Sequence, residues 1–117
     1  MRIKKMYKEL EDLGGFTTNV KELNQEQLDF LEENNEFDID TEDLIDIIDE
    51  YAGYDYAEIA GVYESPEEIG REELENCYDF PNFLYYYIDL EGFGNSIIDE
   101  SNRYYRLNND EIAYISL

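Results

Sequence analysis

The sequence predicts an α+β fold: a helix-rich acidic domain with a small C-terminal antiparallel β-sheet. Three observations carry that expectation. Apolar residues recur at helical spacing through much of the chain, a strong helix-start signal stands at Ser65-Pro66-Glu67-Glu68, and two short β-prone runs flank Asn108-Asn109-Asp110 near the end. The chain has 117 residues, 43% hydrophobic and 15% aromatic, which is the length of one domain and enough apolar mass for a modest core. An unfolded acidic tail is poor in aromatic residues and is excluded by that composition. No internal repeat and no Pro- or Ser-rich linker divides the sequence, so residues 1–117 read as a single domain.

Taken in order, residues 2–13 form a short helix closed by Gly14-Gly15, because glycine takes the left-handed conformation that ends helices. Val20, Leu23, Gln27 and Leu31 share one helical face after the cap candidates Thr18 and Asn19, which predicts an amphipathic helix over 20–33, ended by Asn34-Asn35. Thr41 caps a third helix over 42–52 with Leu44, Ile47, Ile48 and Tyr51 as its core stripe and Gly53 as its stop. Ser65 as N-cap, Pro66 at the first helical position and Glu68 three residues after the cap start a fourth helix running to about residue 78. Residues 82–90 are apolar and aromatic enough for a buried helix or a strand, which periodicity alone does not separate. The runs 103–107 and 111–115 make a β-hairpin, with 96–99 as a candidate third strand.

Charge is the dominant feature. Eight Lys plus Arg stand against 31 Asp plus Glu, a formal net charge of −23. Between Glu22 and Asn102 there are 26 carboxylates and one cation, Arg71, so the acidity belongs to the body of the chain and not to a tail. Affinity for phosphate backbones and anionic lipid comes from Lys and Arg, so direct binding to nucleic acid or membrane is excluded and the partners are basic. With no His and one Cys, Cys77, the chain has no His-assisted nucleophile, no multi-Cys metal site and no internal disulfide. No apolar run approaches the roughly 20 residues of a membrane span, and the acids Glu9, Glu11 and Asp12 interrupt what Arg2, Lys4, Lys5 and Lys8 begin as a signal-like segment. A cytoplasmic protein is expected.

Positions i, i+4, i+7 and i+11 fall in one narrow stripe of a helix. Glu22, Glu26, Asp29 and Glu33 have that spacing, as do Glu68, Glu72, Glu75 and Asp79, the last near the end of its helix. Glu42, Asp46 and Asp49 repeat it opposite the third helix's apolar stripe. A charged outer face ordinarily mixes signs, since Glu-to-Lys pairs at i, i+4 contribute about 0.2–0.5 kcal/mol and like charges cost as much. Here the cations are missing from all three rows, which points to a purpose other than stability. Duplex DNA carries one charge per roughly 1.7 Å of axis, so the charge of the acidic body matches on the order of a dozen base pairs. Imitation of DNA in a basic groove is one reading, and an acidic scaffold or chaperone for some other basic protein is the other.

Other chemistries fit less well. An EF-hand loop begun at Asp38 would place Asp40, Glu42, Asp46 and Asp49 at ligand positions, but Asp43 occupies the place that requires Gly, and the last ligand is not Glu. No metal site and no cofactor are expected. Carboxylate pairs arise by chance in so acidic a chain, and no phosphate-binding loop or nucleophile elbow accompanies them, so no catalytic residues are assigned. Cys77 lies near Ile69 and Leu74 on the fourth helix as a small core residue. The 12 Tyr, among them Tyr85-Tyr86-Tyr87 and Tyr104-Tyr105, serve the core and an interface.

The segment Pro81-Asn82-Phe83-Leu84-Tyr85-Tyr86-Tyr87-Ile88-Asp89-Leu90-Glu91-Gly92-Phe93-Gly94 resembles the L-x-N-Y-I-D-Y-x-A-F/Y-G segment of ArdA-type antirestriction proteins. Tyr87-Ile88-Asp89, Glu91, Phe93 and Gly94 carry the match, while Leu90, Gly92 and Asn95 depart from it; the wider resemblance covers about residues 45–117. It implies an acidic, dimeric, non-enzymatic mimic of B-form DNA from a mobile element, acting in a bacterial cell on the DNA groove of type I restriction-modification enzymes. Asp89 and Glu91 thereby join the phosphate-mimicking carboxylates. A CRISPR effector is the alternative target, since it too reads DNA through a basic cleft.

Overall fold

The computed structural model describes residues 1–15, 22–77, 79 and 81–117, with the side chain of Cys77 outside that description. Thr18, Asn19, Val20 and Tyr78, and the burial expected for Cys77, therefore lie outside the described residues. The chain divides into two compact units, Met1–Ala60 with Ile115–Leu117, and Gly61–Tyr114. The class is α+β, helices with a small three-stranded antiparallel sheet.

In the first unit, α1 (Ile3–Asp12) buries Ile3, Met6 and Leu10. It ends as the sequence predicts, with Gly14 and Gly15 at φ 148° and 86°, values a side chain would oppose. Helix α2 spans Gln25–Glu33 and not 20–33. Its N-cap is Asn24, whose side-chain oxygen accepts from the Gln27 N–H at 2.8 Å while Gln27 Oε1 accepts from the Asn24 N–H at 3.0 Å. Leu23 is buried, but ahead of the helix. Gln27 is 2% exposed because its amide also donates to the Leu10 carbonyl at 2.8 Å and to that of Gly15, and Asn24 Nδ2 donates to the Leu13 carbonyl at 2.8 Å. Carbonyls at the end of a helix have no partner within it. One capping box thus opens α2 and closes α1.

Helix α3 (Thr41–Tyr51) starts at Thr41, with Asp40 in the cap position. It packs against both α1 and α2, and so buries Leu44, Ile45, Ile47, Ile48 and Tyr51, a wider stripe than a surface helix needs. Strand β1 (Glu58–Tyr63) follows, an element the sequence pattern does not announce. Glu58, Ala60 and Gly61 dilute its β-branched residues.

In the second unit, α4 spans Pro66–Cys77. Ser65 Oγ accepts from the Glu68 N–H at 3.4 Å, and the Glu68 carboxylate accepts from the Glu64 N–H at 2.9 Å, the reciprocal pattern the sequence predicts. Residues Asn82–Tyr87 form a short 3-10 helix with no buried residue, where a buried helix or strand is expected. Helix α5 (Leu90–Glu100) replaces the candidate strand at 96–99. The Asp89 side chain accepts from the Gly92 N–H and starts α5, whose buried Leu90, Gly94 and Ile98 have helical spacing. Strands β2 (Tyr104–Arg106) and β3 (Ile112–Ser116) pair antiparallel in the predicted hairpin, with Tyr104 opposite Tyr114 and Asp110 at φ 70° in the turn. The sheet order is β1-β3-β2, so the third strand is β1.

Two glycines set the α4/α5 crossing. A Cβ on Gly94 would run into the Pro66 carbonyl, and one on Gly70 would stand 3.2 Å from the Gly94 amide nitrogen. Backbone meets backbone there. Ile69, Ile98 and Ile112 make the adjoining core, with Tyr63, Ile97 and Tyr104 packed against it. Gly94→Ala is therefore expected to destabilise the protein by about 3 kcal/mol, the upper end of overpacking costs. Gly61→Ala, where a Cβ meets nothing within 4 Å, should stay within about 0.5 kcal/mol. Urea unfolding midpoints of the two variants check this.

Candidate functional site

The carboxylate rows are on the surface of the helices that predict them. Glu26, Asp29 and Glu33 are exposed on α2, and Asp29 Oδ1 accepts from Gln25 Nε2 at 2.8 Å. Glu22 is exposed but precedes the helix, because the Asn24 cap starts α2 later than the apolar spacing suggests. On α3, Glu42, Asp46 and Asp49 are exposed on the side away from the buried stripe. On α4, Glu68, Glu72 and Glu75 are exposed, while Asp79 lies past the end of the helix at Cys77 and leaves the row. The α2 and α3 rows belong to the first unit and the α4 row to the second. Asp89 and Glu91 are exposed at the start of α5.

Some of these acids have local duties. Glu68 and Asp89 cap helices, as described, and Glu72 accepts a hydrogen bond from the Tyr63 hydroxyl. Acids in a first turn, such as Glu26, Glu42 and Glu68, also suit the positive end of the helix dipole. Glu33, Asp49 and Glu75 do the opposite. Each closes its row in the last turn of its helix, beside the unpaired carbonyls, and none of α2, α3 or α4 has a basic residue in that turn. A carboxylate there costs roughly 0.3–1 kcal/mol where a cation would contribute as much.

Three of the cations are engaged in local pairs. Lys4 Nζ pairs with Asp55 at 2.8 Å, Arg71 with Glu67 at 3.4 Å and Arg106 with Asp99 at 3.0 Å. The Lys4 hydrogen bond and charge hold the Asp55 carboxyl below its ordinary value. Eight bases cannot neutralise 31 acids, so the surface stays anionic.

The EF-hand reading has no loop to rest on, since residues 41–49 are helix. Among the described residues, no group of three or more His, Cys, Asp or Glu side chains is placed to hold an ion. Nor is any described helix long and apolar enough to cross a membrane. Sequence reasoning missed a second surface. Phe83, Tyr86 and Tyr87, in the run expected to be a buried helix or strand, stand in the open on the 3-10 helix. The available signal was the absence of any helical or alternating period in that run.

No protein-family model matches this chain, and neither a curated protein nor a solved structure does.

The tyrosines give the fold an alkaline limit. Burial, the Glu72 carboxylate and its hydrogen bond push the Tyr63 hydroxyl well above 10.0, burial foremost raises Tyr104, and burial with Glu50 pushes Tyr51 up to about 12. These groups hold their protons more tightly folded than unfolded, so their contribution is intact below the unfolded value of 10.0 and is lost as pH rises toward the folded values. Helix content followed by circular dichroism should hold up to about pH 10 and fall above it together with the appearance of tyrosinate absorbance.

Proposed function

We propose that this chain is a non-enzymatic inhibitor that mimics DNA and occupies the basic DNA-binding groove of a bacterial defence enzyme, a type I restriction-modification complex before others. The observation that carries the reading is the run of uncompensated carboxylates to the C-terminal turns of three helices, at Glu33, Asp49 and Glu75. Helix stability opposes acids at those positions, and a phosphate-binding partner rewards them. Along one row, charges recur about every 5 Å by helix geometry, against 3.4 Å of axis per phosphate on one DNA strand. The resemblance of residues 81–94 to ArdA-type proteins supports the same reading and the same class of target. Binding of this kind weakens steeply with salt, as DNA binding does.

The test is DNA binding by a type I restriction-modification complex and by a Cas9–guide complex, each with and without the protein at about 0.15 M salt. Loss of DNA binding by one of them is expected. If both bind DNA undisturbed, the reading fails and an acidic scaffold for another basic protein takes its place. A triple variant sharpens it: Glu33→Lys, Asp49→Lys and Glu75→Lys together should raise the melting temperature, each change relieving about 0.3–1 kcal/mol of dipole cost or more. The same variant should inhibit about ten-fold less well, or worse. Higher stability with undiminished inhibition would remove these carboxylates from the contact surface.

A further inference from the structure

The 3-10 helix Asn82–Tyr87 buries none of its residues: Phe83 is 64% exposed, Tyr86 91% and Tyr87 82%. Aromatic rings are the largest apolar surfaces a chain has, and three together in water is unlike a folded protein left to itself. With three residues per turn, Asn82 and Tyr85 share one face, which Ile88 follows in extended backbone, and Phe83 and Tyr86 are eclipsed on the next. The first face and Tyr86 line a groove of about 750 Å³ within the second unit. Glu67, Arg71 and Glu75 of α4 border it, as do Asp89 and Glu91 at the start of α5.

The groove already holds one guanidinium. Arg71 pairs with Glu67 at 3.4 Å and lies over the Tyr85 ring, 5.1 Å from its centroid. A carboxylate at the edge and an aromatic face beneath are what a planar cation selects. We propose that the groove receives an arginine-bearing, extended segment of a basic protein partner, its guanidinium groups stacking on Tyr86 and the neighbouring exposed rings and pairing with Glu75, Asp89 and Glu91. Four carboxylates against one guanidinium repel an acidic segment or a nucleic acid. A second copy docked symmetrically would set those four acids against themselves. Arginine is favoured over lysine because its flat, weakly hydrated fork both stacks and pairs.

The inference rests on the proposed inhibitor only in taking the partner to be a basic protein, and it concerns rings that charge mimicry does not use. The probes are two flexible peptides, one alternating Arg and Gly and one alternating Lys and Gly, titrated calorimetrically into the 117-residue protein at about 0.15 M salt. The Arg peptide is expected to bind the protein about five-fold more tightly than the Lys peptide. That preference should disappear in F83A/Y86A/Y87A and fall in Y86A alone, with unchanged circular dichroism because the rings bury nothing. Equal binding of the two peptides, or a preference that survives the triple variant, overturns the proposal. So does a dimer in sedimentation that the triple variant dissociates, since the rings would then join two copies. The triple variant keeps every carboxylate, so a loss of arginine preference with DNA competition intact, or the reverse, separates this proposal from the DNA-mimic reading.

Discussion

Self-repulsion is the constraint the rest of the structure answers to. Between Glu22 and Asn102 the chain carries 26 carboxylates and one guanidinium, and a compact state brings them closer than an unfolded one does. Apolar burial has to outweigh that on every helix. On α3 it does so easily: Leu44, Ile45, Ile47 and Ile48 are fully buried, each contributing about 1.5–3 kcal/mol, against a few tenths for each like-charged neighbour at i, i+4. Helix α2 has less to offer, with only Leu31 and Gln27 buried, and the Asn24–Gln27 capping box ties it to the carbonyls at the end of α1. The rows can be anionic because short-range packing and capping hold each helix whatever its outer face carries.

In the second unit the same problem is met by close backbone approach. The glycines Gly70 and Gly94 let the first half of α4 meet the backbone of α5, and Ile69 and Ile98 pack beside that crossing to hold a twelve-residue helix with five acids. That contact also fixes where Glu67, Arg71 and Glu75 stand relative to the start of α5, and so gives the groove its walls. Asp89 belongs to both stories, as the cap of α5 and as one of the groove's acids. A proposed binding surface and the fold's own support thus share residues, and charge changes at Glu68, Glu72 or Asp89 disturb a local hydrogen bond as well as a field.

Much of the local structure was legible in the sequence because its signals are local. The Ser65-Pro66-Glu67-Glu68 start, the Gly14-Gly15 stop, the buried stripe of α3 and the hairpin at Asn108-Asn109-Asp110 each depend on residues a few positions apart, and each stands as predicted. The failures share a different cause. Gly92 and Gly94 look like helix breakers until Asp89 caps α5 at Gly92 and the start of α4 packs against Gly94, and β1 has too few β-branched residues to be seen without the strand beside it. The spacing starts α2 too early because Leu23, apolar and in register, is buried without being helical.

Charge, amphipathic helices and rows of carboxylates can be read from the residues alone, since they follow from spacing along one element and from the absence of cations. The excess of 31 acids over eight bases sets a net anionic field in the same way, whatever the fold. Which acids end in a C-terminal helical turn, which of them serve as caps, and the exposure of Phe83, Tyr86 and Tyr87 depend on the folded arrangement. Burial is a property of neighbours distant in the chain, and a run of aromatic residues reads the same in a sequence whether the fold covers it or leaves it in water.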